Sequence, residues 1–335
     1  MTKPFSQSRP PFRNRCPLPE PRVRDRLLIV EHRRDTLWGW MSKQQGLFSE
    51  FFAVLGALRY AELNQAAGVK IEFTSGLYRD PSRGPNWWDY FFESTMWLDT
   101  PRPKACTVRC NGWHRFGPHG WNESWTSQII PGNTSRQPYP IDSEAELREA
   151  ARLTGRHIRV RPKLQTSVDQ FLASHTKTGD FIIGLHYRGT DKVNVFPYRS
   201  PDYRVYAERI DRVLALRNAK SWRVFIATDE REFADWATER YGDRVFLRDD
   251  APRLSATDPE GRKNGTHKNL SLSGYLKGET AVLDCLILSR CHHLIKNRSS
   301  LSDISLAFNP ALPWTFILDD ALVYEGGTTP SAPLS

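Results

Sequence analysis

The sequence predicts an α/β fold built on doubly wound parallel sheet, and two observations carry that expectation. Short apolar runs of strand length alternate with amphipathic helical stretches through the second half of the chain. A strand–helix–strand unit also opens the first half. With 335 residues the chain has room for two domains. We expect a flexible N-terminal arm over 1–20, one α/β domain over 21–175, a second, Rossmann-like domain over 176–325 and a flexible tail over 326–335.

The elements follow in order. Residues 26–31 (RLLIVE) have the continuous apolar character of a buried strand. Ser49 is a suitable N-cap for a helix over 50–67, with Val54, Leu55, Leu58 and Ala61 on one face and Gly68 closing it. Val69, Ile71 and Phe73 then alternate as a strand. Residues 74–140 are irregular and hold six of the eleven tryptophans. Two helical stretches fill 142–175, split at Arg159-Val160-Arg161-Pro162, and the passage between domains falls near 177–179.

The second half is more regular. Strands are predicted at 181–186, 223–228, 245–247, 293–296 and 314–318. Helices are predicted after Ser200-Pro201, with Tyr206, Ile210 and Val213 buried, and at 230–241, 277–289 and 301–308. Residues 249–275 form a long polar loop of the kind that closes over ligands.

Composition narrows the classes. A hydrophobic fraction of 39% with 25% charged residues belongs to a globular chain, not a disordered one. No run of about 18 apolar residues exists, so no membrane span is expected. The first residues lack an apolar signal region, so we expect a cytoplasmic protein, at most resting on the inner membrane surface. Five cysteines at unrepeated spacings argue against a disulfide frame. Cys285, Cys291, His292 and His293 lie close together, but Cys285 sits in an apolar run, so burial is favoured over a metal site. The net charge of +9 is spread along the chain, and no recognition-helix or zinc-finger pattern points to nucleic acid.

In parallel sheets, ligands bind beyond the carboxyl ends of the strands. Three polar clusters fall there: His186 to Lys192, Thr228-Asp229-Glu230, and Asn297-Arg298-Ser299-Ser300. Arg188 offers a planar fork of donors for phosphate, and Lys192 a compact charge. Ser299 and Ser300 open a helix whose free N–H groups suit an anion. Asp229 has the acceptor pair that a guanine edge would use. The P-loop and dinucleotide glycine fingerprints are both missing.

These residues resemble the α-1,6-fucosyltransferases. The stretch His186-Tyr187-Arg188-Gly189-Thr190-Asp191-Lys192 is similar to that family's first donor-site motif, Phe225 to Asp229 to its second, and Gly278 to Ser300, with Asp284, to its third. The likeness is good over 180–310; over 27–75 it is limited to the loop Gly46-Leu47-Phe48-Ser49. The resemblance implies a GT-B-like pair of facing Rossmann-type domains and an inverting, metal-independent transfer of fucose from GDP-fucose to a glycan acceptor, without cofactor. It implies that Arg188, Lys192 and Asp191 serve the reacting centre. It further implies that His186, Arg188, Thr228, Asp229, Ser299, Ser300 and Gly46 hold the donor, with Asp229 on guanine. Two departures stand out: Gly189 occupies the place of a second Arg, and Val193-Asn194-Val195-Phe196 lacks the Glu proposed as base in the animal enzymes.

Alternatives stay open for single residues. His186 is equally well a structural histidine, and Asp191 a turn former. Asp229 is an N-cap candidate for the helix after it. The tryptophans read mainly as packing, with Trp87, Trp88 and Tyr90 the acceptor-side candidates. A non-catalytic nucleotide- or glycan-binding protein on the same fold is the alternative function.

Overall fold

The computed structural model describes residues 26–31, 46–63, 65–93, 106–110, 144–190, 200–259, 266, 271–318, 320 and 323–327. The expected arm over 1–20 and most of the tail after 326 lie outside them. Two sheets, parallel but for one edge strand, organise the rest.

The first sheet has three strands in the order β2-β1-β3: β1 (Arg26–Glu31), β2 (Gly68–Glu72) and β3 (Cys106–Cys110). Leu28 pairs with both Val69 and Val108, so β1 is the central strand. Its crossover is α1 (Leu47–Leu63). This helix begins before the expected Ser49 cap because the Gly46 carbonyl accepts from both the Ser49 and Glu50 N–H groups. It ends before Gly68. Gln65 takes the left-handed turn at φ 53°, and the Ala66 N–H reaches back to the Ala61 carbonyl at 2.8 Å, so Gly68 is free to start β2.

Beyond β2 the chain makes a short helix, α2 (Trp88–Phe91), which the sequence left as irregular. Asn86 pins it to the strand end: its Oδ1 accepts from the Phe73 N–H at 2.8 Å and its Nδ2 donates to the Ile71 carbonyl at 2.9 Å. Helices α3 (Glu144–His157) and α4 (Pro162–His175) break at Pro162, as predicted, because proline starts a helix but cannot continue one.

The second sheet has six strands in the order β6-β5-β4-β7-β8-β9. They are β4 (Phe181–Tyr187), β5 (Trp222–Thr228), β6 (Val245–Leu247), β7 (His293–Lys296), β8 (Trp314–Ile317) and β9 (Val323–Gly326). All pair in parallel except β9, an antiparallel edge that the sequence did not reveal. The crossovers are α5 (Tyr203–Arg217), α6 (Arg231–Tyr241), α7 (Gly274–Ser289) and α8 (Ser300–Phe308). The strand order reverses between β4 and β7, which makes their carboxyl ends the switch point where such sheets open a crevice.

Caps correct three predicted starts. Asp202, not Ser200, caps α5, accepting the Arg204 N–H at 2.8 Å. Ser273 caps α7 through the Leu276 N–H at 3.1 Å, three residues ahead of the expected start. Ser299 caps α8.

The core is continuous across both sheets. One cluster runs from Leu28, Val54 and Leu58 through Phe51, Trp88 and Phe92 to Leu286, Leu288 and Ile304, and on to Phe225 and Phe246. Phe51 of α1 meets Phe308 of α8, and Phe171 of α4 packs on Phe225 and Phe246 of the second sheet. Helix α4, read from sequence as part of the first domain, therefore also covers the second sheet. The other face of that sheet buries Ile183, Leu185, Tyr206, Ile210 and Phe233. Each such side chain contributes about 1.5–3 kcal/mol on leaving water. Gly278 lets α7 seat on Phe91, since a Cβ there would overlap the ring.

The same packing decides the aromatic residues expected on the acceptor side. Trp87 and Trp88 are 0% and 1% exposed, and Trp87 stacks on Phe73 at 4.8 Å. They offer no open face for a sugar, so the acceptor-side expectation is corrected to core packing. Tyr90 is half-buried, and its hydroxyl donates to the carbonyl of Gly84 at 2.5 Å or of Asp80 at 2.7 Å, holding the 80–84 turn.

Candidate functional site

The site forms where β4 ends. His186 and Tyr187 are still strand residues; Arg188, Gly189 and Thr190 turn away across the switch point. Asn297, just past β7, clasps that turn from one side. Its Oδ1 accepts the Arg188 N–H at 2.9 Å and its Nδ2 donates to the Arg188 carbonyl at 3.1 Å. Asp229, just past β5, clasps it from the other. Its Oδ1 accepts the Gly189 N–H at 3.1 Å, and its Oδ2 accepts the Thr190 hydroxyl at 2.6 Å and lies 3.5 Å from Arg188 Nε. Three strand ends thus fix the turn that carries Arg188, whose guanidinium pairs with Asp229.

Gly189 fits because nothing larger does. A Cβ there would overlap the Glu230 carboxylate and come within 2.5 Å of the Tyr187 ring. Glu230 is buried beneath the turn and accepts the Tyr203 hydroxyl. Thr228 does not face a ligand through its hydroxyl, which accepts the Glu230 N–H at 3.1 Å and shapes the exit from β5. The described part of the expected lid is strapped to the same corner: the Leu254 N–H donates to the Asp229 carbonyl at 2.9 Å and the Arg231 N–H to the Leu254 carbonyl at 3.0 Å.

His186 is 4% exposed, and its Nδ1 has no hydrogen-bond partner among the described residues. Burial, reinforced by the positive charges of Arg188 and Lys296, pulls its pKa down to about 3, so the imidazole is neutral. Lys296 is buried in an ion pair with Asp303 of α8. Burial lowers the Arg298 guanidinium to about 9, with Asp303 opposing that shift. Burial likewise raises the Asp303 carboxyl above its ordinary range, while Lys296 and Arg298 hold it down.

The first sheet contributes the opposite wall. Ser49, in the first turn of α1, meets Ser300, at the start of α8, with their hydroxyl oxygens 3.5 Å apart. Two helix N-termini therefore converge beside the Arg188 turn, each bringing a serine hydroxyl and the positive end of a dipole. Gly46 sits at the root of α1, where its Cβ position lies 4.0 Å from the Tyr78 hydroxyl. That hydroxyl accepts the Leu47 N–H at 2.8 Å, and the phenol, pushed up to about 12 by burial, also senses the charges of Arg188 and Glu50. The Ser299 hydroxyl accepts the Leu301 N–H at 3.3 Å as a cap, whereas Ser300 faces Ser49.

Of the residues picked out by sequence, Arg188, His186, Asp229, Thr228, Ser299, Ser300 and Gly46 gather here. Asp191 and Lys192 lie outside the described residues. The sequence did not single out Tyr78 or Glu50, and named Glu230 and Asn297 only within clusters, with no role of their own. Asp284, named only within a motif, is buried on α7 and raised to about 6 by burial, with Arg248 3.6 Å away. The Cys/His group is spent on structure: Cys285 and Cys291 are buried thiols, His292 Nδ1 accepts the Ile182 N–H at 2.9 Å, and His293 Nε2 bonds the Thr315 hydroxyl at 2.9 Å. Among the described residues no helix is long and apolar enough to cross a membrane.

No family model matches the chain, and no curated protein matches it in sequence. Solved structures that it resembles include fucosyltransferases. NodZ alpha-1,6-fucosyltransferase soaked with GDP-fucose shares 18% identity over 91% of this chain and 100% of that chain, with a TM-score of 0.49. Fucosyltransferase NodZ from Bradyrhizobium shares 18% over 91% and 99%, with a TM-score of 0.47. POFUT1 in complex with GDP shares 14% over 88% and 99%, with a TM-score of 0.48. At this distance the likeness leaves the activity to be argued from the site.

Proposed function

We propose that the protein is a glycosyltransferase that moves fucose, or a closely related sugar, from a GDP-sugar to a glycan acceptor, with inversion at the anomeric carbon and without a metal ion. The observation that carries this reading is the Arg188 turn, clasped from two strand ends and set beside the converging starts of α1 and α8. A nucleoside diphosphate needs charge compensation as its bond to the sugar breaks. Here the chain itself would supply that compensation. The planar guanidinium of Arg188 suits two phosphate oxygens at once, and the two helix starts offer the Ser49 and Ser300 hydroxyls and favourable dipoles.

In the transfer, the bond from the anomeric carbon to the diphosphate oxygen breaks and its electron pair leaves with GDP. The acceptor hydroxyl forms the new bond from the opposite face and gives up its proton to solvent. Arg188 would act by stabilising the charge that develops on the leaving diphosphate. His186, neutral and buried at the base of the turn, would keep a third positive charge out of the pocket beside Arg188 and Lys296.

The test is release of GDP from GDP-fucose, with water as acceptor, alongside GDP binding by calorimetry. Arg188→Ala should lower turnover on the order of hundredfold or more. Arg188→Lys should fail to rescue it, because a point charge does not replace a fork. EDTA should leave the rate unchanged, and UDP should compete poorly. A folded Arg188→Ala variant with near-normal turnover would refute the assignment of the site. Tight GDP binding with no turnover would favour the non-catalytic alternative, and loss of turnover in EDTA would refute the metal-free mechanism.

A further inference from the structure

The sequence suggested that Asp229 reads the guanine edge; its surroundings give it different work. A carboxylate that pairs with a purine edge presents both oxygens, in one plane, to two parallel N–H donors. Asp229 is 8% exposed, and each oxygen already accepts a donor from the turn: the Gly189 N–H on Oδ1 at 3.1 Å and the Thr190 hydroxyl on Oδ2 at 2.6 Å. Arg188 Nε lies 3.5 Å from Oδ2. The Asp229 backbone carbonyl is taken as well, by the Leu254 N–H. All these ligands of Asp229 hold one three-residue turn and the strap behind it.

We infer that Asp229 is a positioning residue for Arg188: it fixes the turn so that the guanidinium meets the diphosphate, and base selection does not run through it. The inference rests on the donor-site reading above. It has a consequence that a guanine contact would not share. A base-reading carboxylate matters only to ligands that carry the base. A carboxylate that aims Arg188 matters equally to any ligand that carries the diphosphate, with or without a base.

The experiment is calorimetric titration of GDP, UDP and inorganic pyrophosphate into wild type, Asp229→Asn, Arg188→Ala and the double variant. Asp229→Asn keeps the side chain's shape and an acceptor for the Gly189 N–H, so it preserves the fold better than Asp229→Ala; thermal melting checks that it does. Misaiming one charge-assisted phosphate contact should weaken GDP and pyrophosphate by the same factor, about tenfold. The ratio of GDP to UDP affinity should stay at the wild-type value. Asp229→Asn should add little once Arg188 is already alanine, because the two act on one contact. The inference is overturned if Asp229→Asn weakens GDP but not pyrophosphate, if the GDP to UDP ratio collapses, if neither ligand is affected, or if the two substitutions are additive. A wild type that binds neither GDP nor pyrophosphate would instead remove the donor-site reading, and this inference with it.

Discussion

Acid should destabilise this protein through His186 in a way that one substitution removes. The imidazole is buried beside Arg188 and Lys296, and its pKa falls from 6.5 to about 3. The unfolded chain therefore takes up the proton first as pH drops. The stability held by the neutral ring is complete above the unfolded value of 6.5. It is lost progressively as pH falls from 6.5 towards 3, where the folded form also titrates. At about 1.4 kcal/mol per pH unit, roughly 2 kcal/mol is gone by pH 5 and up to roughly 5 kcal/mol by pH 3. Urea unfolding of wild type and His186→Gln at pH 7.5 and pH 5.0 measures this directly. Glutamine does not titrate, so the variant should lose about 2 kcal/mol less than wild type between the two pH values, whatever its absolute stability. The carboxylates contribute to both proteins and cancel in that difference. Identical losses in the two proteins would refute the claim that His186 is held neutral by burial and its cationic neighbours.

Two further substitutions test the frame around the site. Gly189→Ala drives a methyl group into Glu230 and Tyr187, so it should cost about 1–3 kcal/mol in urea unfolding and weaken GDP binding; a neutral result would mean that the turn is looser than described. Lys296→Met strands the Asp303 carboxylate in a buried position and should cost about 3–5 kcal/mol, much of it recovered by adding Asp303→Asn. Equal stability of the single and double variants would show that the pair is not coupled.

Much of this fold was legible because its strands are buried on both faces. The run Phe181 to His186 is continuous and apolar, and it became β4 nearly as read. Strands β3 and β9 lacked that signal: one is five residues flanked by polar chain, and the other is a four-residue antiparallel edge. Cap identity was ambiguous where candidates adjoin. Ser200, Pro201 and Asp202 all suit a helix start, and Asp202 caps because its side chain reaches the Arg204 N–H, while the Ser200 hydroxyl donates to the Arg188 carbonyl at 3.4 Å. The site's residue types were legible from their place after strands. Their division of labour was not, because Asp229 finds its donors about 40 residues earlier and Asn297 finds Arg188 from 109 residues away. Trp87 and Trp88 carry the same letters whether they stack on a sugar or fill a core, and only the surrounding Phe73 and Phe92 rings decide.

The unbroken core sets how this protein comes apart. Because Phe51 rests on Phe308 and Phe171 on Phe225, one apolar face of each sheet is kept dry by the other half of the chain. A cut in the Lys177–Gly179 turn would not yield two stable halves; each fragment would carry an exposed half of the same seam. The hydroxyls of Ser49 and Ser300 meet across that seam, so the proposed donor site belongs to neither fragment and needs the joined protein. Unfolding should accordingly be one event for both sheets, and losing the proposed donor site should coincide with losing the fold.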